Sequence, residues 1–293
     1  HRGGGGALRG GGGGGGCGGG ARARTAPARG GGGGEGAAEA PADAPVVVKL
    51  GGSLITEKSR PETIDDAALS AACDAGAAAL ASGTVGRLVL VHGGGSFGHH
   101  HASAHGVSTR SGTHDADAVM DIHGAMTTLN RAVLSALRDR DVPAVPVHPF
   151  SVSARPAGVD GALDLPVGST ATLLAEGFVP VLHGDGVATA EAGVTVVSGD
   201  ELVSELATRL GADRIGVCST VPGVLDTDGS VISRIDSFDA VADALGASDT
   251  TDVSGGMAAK VRELLALDAP ASVFGPDGLE PFLRGETPGT RIE

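Results

Sequence analysis

Short apolar runs, each stopped by glycine, recur along the chain. Val46-Val47-Val48-Lys49-Leu50 ends at Gly51-Gly52, and Leu88-Val89-Leu90-Val91 ends at His92-Gly93-Gly94-Gly95. A third run, 178–182, ends at His183-Gly184-Asp185. Runs this short, Val- and Leu-rich and not alternating with polar residues, predict strands buried on both faces. Segments 142–147, 214–218 and 272–274 read the same way, while 187–189 and 194–197 read as a hairpin across Glu191-Ala192-Gly193.

Between these runs the period changes. Ile122, Met126, Leu129, Val133 and Leu137 share one face of a predicted helix over 115–138. Asp115 and Asp117 fall in its first turn and Arg138 in its last, the signs that the helix dipole favours. Ala-rich 64–81, short 168–176, and 200–210 and 256–268 are further helices. Strands alternating with helices predict an α/β fold, an open αβα sandwich with a mainly parallel central sheet. In such sheets ligands bind beyond the carboxyl ends of the strands, where each of these glycine clusters falls.

Residues 1–44 break the pattern. They hold 20 of the 51 glycines and almost nothing apolar to offset the entropy of ordering them, which predicts a disordered tail before a domain spanning 45–293. The tail lacks the apolar stretch of a signal peptide. Five of its residues are Arg and three acidic, so the remaining chain is more acidic than the overall net charge of −14.

That charge removes several functions. With only Lys49, Lys58 and Lys260 as lysines, no basic stripe is available for nucleic acid. No run approaches the roughly 18 apolar residues of a membrane span. Trp and Tyr are absent, which argues against an aromatic stacking platform. Cys17, Cys73 and Cys218 stand far apart, as in a reducing, cytoplasmic protein. Few Lys among many Asp, Ala and Val suggest a high-salt cytoplasm, where ions screen self-repulsion; ordinary acidic solubility is the other reading.

The candidate chemistry lies at the turns. Gly93-x-Gly95-x-x-Gly98 matches the dinucleotide fingerprint as a string, but no acidic-ended strand follows about 20 residues on, so the context fails. Lys49-Leu50-Gly51-Gly52-Ser53 instead places a cation beside backbone that can approach a ligand closely. Two glycine loops at strand ends can present N–H groups to a polyphosphate. Lys260 follows Asp252-Val253-Ser254-Gly255-Gly256 in the first turn of a helix that Ser254 or Asp252 can cap, where an anion would dock. His99 directly follows the second glycine loop and can donate to a phosphate oxygen. His101 and His105 have the i, i+4 spacing of a metal pair, but no carboxylate or Cys stands at a matching spacing, and no metal ligands are assigned. His92 and His183, each ending a strand, read as structural.

In the order KLGGSLITEK (49–58), HGGGSFGH (92–99), HGDGV (183–187), SGDELV (198–203), DVSGGMAAK (252–260) and LRGETPGT (283–290), the body resembles the amino acid kinase superfamily. Within it, the chain is similar to the archaeal isopentenyl phosphate kinases, including the histidine after the second loop. The resemblance runs from about 46 to 292. It implies a homodimer that transfers phosphate from ATP, with Mg²⁺, to isopentenyl phosphate in isoprenoid synthesis. About 45–185 would hold the acceptor and 186–293 the nucleotide.

Carried over by position, Lys49, Lys58, His99 and Lys260 would be catalytic. Lys49, Gly51, Gly52, Ser53, Ser219, Gly223, Gly256 and Lys260 would bind ATP. Gly94, Gly95, His99, Gly184 and Asp185 would bind the acceptor, with Asp200 lining the region between. One departure is Ser219-Thr220-Val221-Pro222-Gly223, where many members carry two aspartates; Pro222-Gly223 still encodes the turn. Met120, Ile122 and Met126 offer an apolar surface for an alkenyl tail. A same-fold kinase for another small acid or phosphonate, such as acetylglutamate or fosfomycin, and a non-catalytic nucleotide- or oxyanion-binding member remain the alternatives.

Overall fold

The structure is a computed structural model that describes residues 44–158, 161–246 and 256–293. The glycine-rich tail before residue 44 and the 252–255 part of the turn before Lys260, with both suggested caps, lie outside the described residues.

β1 (Val46–Leu50) leads into a single turn, α1 (Gly52–Ile55), and then α2 (Asp66–Ala81). β2 (Leu88–His92) feeds α3 (Gly95–Ala104) and the long α4 (Ala116–Arg138), which leads back to β3 (Ala144–Pro146). α5 (Pro149–Val152), β4 (Ala154–Arg155) and α6 (Gly168–Ala175) precede β5 (Val179–His183). β6 (Asp185–Thr189) and β7 (Gly193–Val197) form the expected hairpin, and α7 (Gly199–Leu210) leads to β8 (Arg214–Cys218). β9 (Arg234–Ile235), α8 (Ala242–Gly246), α9 (Gly256–Leu265), β10 (Ala271–Phe274), α10 (Leu279–Leu283) and β11 (Thr290–Ile292) follow.

Eight strands pair in the order β3-β5-β2-β1-β8-β10-β11-β9. From β3 to β10 every pairing is parallel; β11 runs antiparallel to β10, and β9 parallels β11. β4, β6 and β7 make a separate three-stranded sheet. The expected α/β architecture is therefore present. β5 lies between β2 and β3, so the strand after the glycine loop does not return beside β2. A dinucleotide βαβ unit is thereby ruled out at that loop.

Helices cover both faces, and alternation along β1 sorts its side chains between two cores. Val46, Val48 and Leu50 join Leu69, Met126, Leu129 and Phe282 on one side. Val47 joins Leu202, Leu206, Val261 and Leu264 on the other, and Lys49 follows Val47 toward α7. The amphipathic face read along 115–138 is the buried face of α4. Asp115 is its N-cap, accepting from the N–H of Asp117, so it lies one position outside the first turn. No helix of the described residues is long and apolar enough to cross a membrane.

The strand ends interlock through backbone. Gly51 N–H donates to Cys218 O at 2.8 Å, Gly93 N–H to Leu50 O at 3.0 Å and Gly184 N–H to His92 O at 3.1 Å. Each loop is thus tied to the last carbonyl of a neighbouring strand. The first two loops also touch: a Cβ at Gly52 would sit 2.1 Å from Gly95 N and one at Gly93 2.6 Å from Gly52 N.

Gly52→Ala therefore forces backbone apart and is expected to lose about 3 kcal/mol of stability or more. Gly76→Ala, in α2, meets nothing within 4 Å and is expected to gain about 1 kcal/mol. Denaturant unfolding of both variants checks the contrast.

Candidate active site

A cavity of about 430 Å³ opens at the carboxyl ends of β1, β2, β5 and β8. Its charged centre comes from three elements. Lys49, the fourth residue of β1, is buried and pairs with Asp200 Oδ2 at 2.6 Å. Lys260, from α9, approaches the other oxygen of the same carboxylate at 3.7 Å. Asp200 is placed by α7, whose N-cap Ser198 accepts from Glu201 N–H and whose Gly211 ends the helix in the left-handed region. Gly199 is a requirement of this geometry, because a Cβ there would lie 3.1 Å from the Lys49 stem.

Burial, helped by the repulsion of Lys260, holds the Lys49 ammonium below its ordinary pKa, although Asp200 opposes the shift. Burial also acts to raise Asp200, but the attraction of Lys49 and Lys260 outweighs it and keeps the carboxyl below its usual range. Glu263, one turn beyond Lys260, is raised by burial and by repulsion from Asp200 and Glu201.

The cavity brings together Lys49, Gly51, Gly52, Ser53 and Lys58 from the first loop, and Gly94 and His99 from the second. Gly184, Asp185, Ser219 and Lys260 also line it. Three predicted residues are not among its lining. Gly95, at φ +48°, is turned toward Gly52 and the Thr56 hydroxyl. Gly223 packs against Val231 and Thr290, so the turn after β8 contributes Ser219 and Thr220 instead. Gly256 opens α9, one turn before Lys260. On α4, Ile122 and Met126 line the cavity, whereas Met120 is 60% exposed and does not. Further wall comes from Gly98 and Ala102 of α3 and from Val107 to Thr109 beyond it. The polar composition of that loop gave no sign of such a role.

Behind the cavity lies a histidine cluster. Asp185, fully buried, accepts from Gly186 N–H at 2.7 Å and lies 2.9 Å from His123 Nδ1. His183 meets His148 at 2.9 Å and stacks on His92, which reaches Asn130 Oδ1 at 3.2 Å. Burial pushes His92 down to about 4 and His183 well below its usual value, so both stay neutral, in keeping with structural roles. Burial pushes Asp185 the other way, up to about 6, against the pull of His123 and Gly186 N–H.

Glycine loops surround lysines that share one carboxylate, and residues 44–267 match the amino acid kinase family. The chain belongs to the amino acid kinase family. Within that family it is similar to isopentenyl phosphate kinase of Haloferax volcanii, 63% identical over 247 residues, covering 84% of this chain and 98% of that one. The isopentenyl phosphate kinase of Methanocaldococcus jannaschii is 30% identical over 260 residues, again 84% and 98% of the two chains. A solved isopentenyl phosphate kinase superposes with a TM-score of 0.69 at 28% identity, over 84% of this chain and 99% of that one.

Two outcomes follow for this kinase-family site. Asp200→Asn strips the buried ammonium groups of their counter-charge. We expect about 3 kcal/mol less stability at neutral pH and an alkaline limb of the activity profile shifted to lower pH, as Lys49 gives up its proton more readily. For Asp185, a carboxyl with a raised folded pKa contributes stability below its unfolded pKa near 3.8, and loses it as pH rises through about 6. Asp185→Asn should accordingly be more stable than the parent above pH 6, by roughly 2–3 kcal/mol, and equal to it below pH 4. Denaturant midpoints across that range check the sign.

Proposed function

We infer that this chain phosphorylates isopentenyl phosphate with ATP, giving isopentenyl diphosphate and ADP, a step of isoprenoid synthesis. The observation that carries the reading is that His99 and the Lys49–Asp200–Lys260 cluster open onto one cavity. Close similarity to isopentenyl phosphate kinases over nearly their whole length supports it.

The attacking group is an oxygen of a phosphate monoester, largely dianionic near neutral pH, so no strong general base is needed. It bonds to the γ-phosphorus of ATP as the bond to the β–γ bridging oxygen breaks, and the electron pair leaves with ADP. The difficulty is bringing two polyanions into line. In this reading Lys49 faces the transferring phosphoryl group, and Lys260 and Ser219 hold ATP phosphates beside the N-terminal end of α9. The N–H groups of Gly51, Gly52, Ser53 and Gly94 supply fixed dipoles. Lys58 and His99 hold the acceptor phosphate, with Gly184 and Asp185 forming the floor. The alkenyl tail lies along Ile122, Met126 and Val107.

Both oxygens of Asp200 face lysines and Asp185 faces His123, so the cavity's carboxylates are committed. Mg²⁺, if carried in on ATP, would supply charge neutralisation on its phosphates, beside Lys49, Lys260 and Ser219. The assignment of 45–185 to the acceptor and 186–293 to the nucleotide belongs to the same reading. So does a cytoplasmic homodimer adapted to high salt, which the buried free thiols of Cys73 and Cys218 and the acidic composition suit.

The test is ADP release from Mg-ATP with isopentenyl phosphate, acetylglutamate or fosfomycin, in molar KCl and in dilute buffer. Turnover confined to isopentenyl phosphate supports the reading; turnover with another acceptor, or none in folded protein, overturns it. His99→Ala, which loses one charge-assisted hydrogen bond, should raise KM for isopentenyl phosphate about 10- to 100-fold and leave KM for ATP unchanged. Equal loss for both ligands would remove His99 from the acceptor side.

A further inference from the structure

On α3, outside the residues that line the cavity, a second cluster of chemistry-bearing side chains is assembled. Ligand atoms of His101, His105 and Asp121 all lie within 4.8 Å of one another. His105 Nε2 is 2.9 Å from Asp121 Oδ2. A fourth group joins from the segment between α1 and α2, where Glu62 Oε1 is 2.5 Å from His101 Nε2. The i, i+4 spacing puts both imidazoles on one face of α3. Their carboxylate partners stand 39 and 16 residues away in sequence, and only the packing of α3 on α4 and on the 57–65 segment brings them in. The expectation that the histidine pair lacks a matching carboxylate is thus corrected by the fold.

We propose that His101, His105 and Asp121 form a binding site for a divalent transition metal ion, with zinc as the best fit and Glu62 beside His101 as an outer carboxylate. Two imidazole nitrogens with one carboxylate oxygen are a borderline donor set that suits zinc, cobalt or nickel. Magnesium and calcium favour all-oxygen shells. A tetrahedral ion with bonds of 2.0–2.1 Å needs ligand atoms about 3.4 Å apart. The three ligand atoms, all within 4.8 Å of one another, need only side-chain adjustment to reach that value, and Asp121, at 54% side-chain exposure, has room to make it; water can fill the fourth position. On binding, each Nε2 exchanges its carboxylate hydrogen bond for the ion, and any proton carried there moves to Nδ1 or to solvent.

The residues come from three segments: His101 and His105 from α3, Asp121 from α4, and Glu62 from the stretch between α1 and α2. Glu62, a non-glycine residue at φ +47°, donates its N–H to Ser96 O at 3.2 Å and is thereby pinned to the first turn of α3. Each segment is also near in sequence to a cavity residue: Glu62 to Lys58, His101 to His99, and Asp121 to Ile122. An ion here would join α3 to α4, two elements that each contribute residues to the cavity. The metal inference does not depend on the identity of the acceptor.

The experiment uses the full chain, stripped with chelator and free of nucleotide and phosphate, titrated with Co²⁺ by visible absorption and with Zn²⁺ by calorimetry. One tetrahedral Co²⁺ per chain, and a zinc-dependent rise in Tm, are expected. Both should vanish in the His101→Ala/His105→Ala double variant, and Asp121→Asn should weaken Zn²⁺ binding at least tenfold. His100→Ala, on the same helix but outside the cluster, should bind as the parent does. All four residues are at least partly exposed, and circular dichroism verifies that the variants fold. Absence of binding at submillimolar metal, or undiminished binding in the folded double variant, would overturn the proposal.

Discussion

Two ammonium groups cannot share a buried corner of a protein unless a negative charge sits between them, and here Asp200 is that charge. Lys49 reaches it from the centre of the sheet and Lys260 from α9, while α7 delivers the carboxylate in its first turn. Removing the carboxylate leaves two ammonium groups uncompensated in a low-dielectric site, whereas either lysine alone can still pair with it. The surrounding structure is arranged to suit this cluster. Gly199 leaves room for the Lys49 stem, and the neutral His92 and His183 beneath it add no further positive charge.

The second constraint is steric. Where the loops after β1 and β2 meet, backbone touches backbone, so their N–H groups are positioned without the rotamer freedom of side chains. Hydrogen bonds from each loop to the end of the adjacent strand fix them further. Donors held in this way need little reorganisation when charge moves, which is the condition for strong electrostatic stabilisation. Charge and steric constraint meet at the end of β1, where Lys49 lies three residues from Gly52.

Much of this was legible in the sequence, because burial on both faces leaves a plain signal. The strands β1, β2, β5, β8 and β10 are continuous apolar runs, and α4 carries an apolar stripe. α3 has no such stripe: its buried residues are Gly95, Phe97 and Gly98, and three consecutive histidines follow. It is held by packing on α4, which no local pattern reports. The closing α10 and β11 are short and depend on β10 and the first core. At the site, the lysines and glycines announced themselves through their places beside turns. Asp200 stood in a quoted motif, but its bridging of two lysines depends on contacts remote in sequence. Gly223 read as a ligand-side glycine and proved to be one that Thr290 and Val231 crowd. The carboxylates facing His101 and His105 were hidden for the same reason, since they are neighbours only in space.

The strand order also bears on how the molecule comes into being. β1 pairs on one side with β2, which follows soon after it, and on the other with β8, which emerges much later. During synthesis the paired glycine loops can form early, but Lys49 then faces a layer whose helix and counter-charge have not yet been made. Closing that face prematurely would bury a lone ammonium, so the half-made sheet is biased to stay open there. α7 brings the counter-charge beside β8, and α9 adds Lys260, Val261 and Leu264 to the same face later. The pairing of Lys49 with Asp200 thus joins an early strand of the sheet to a helix made much later, so the charged centre is complete only once the second half of the chain is in place.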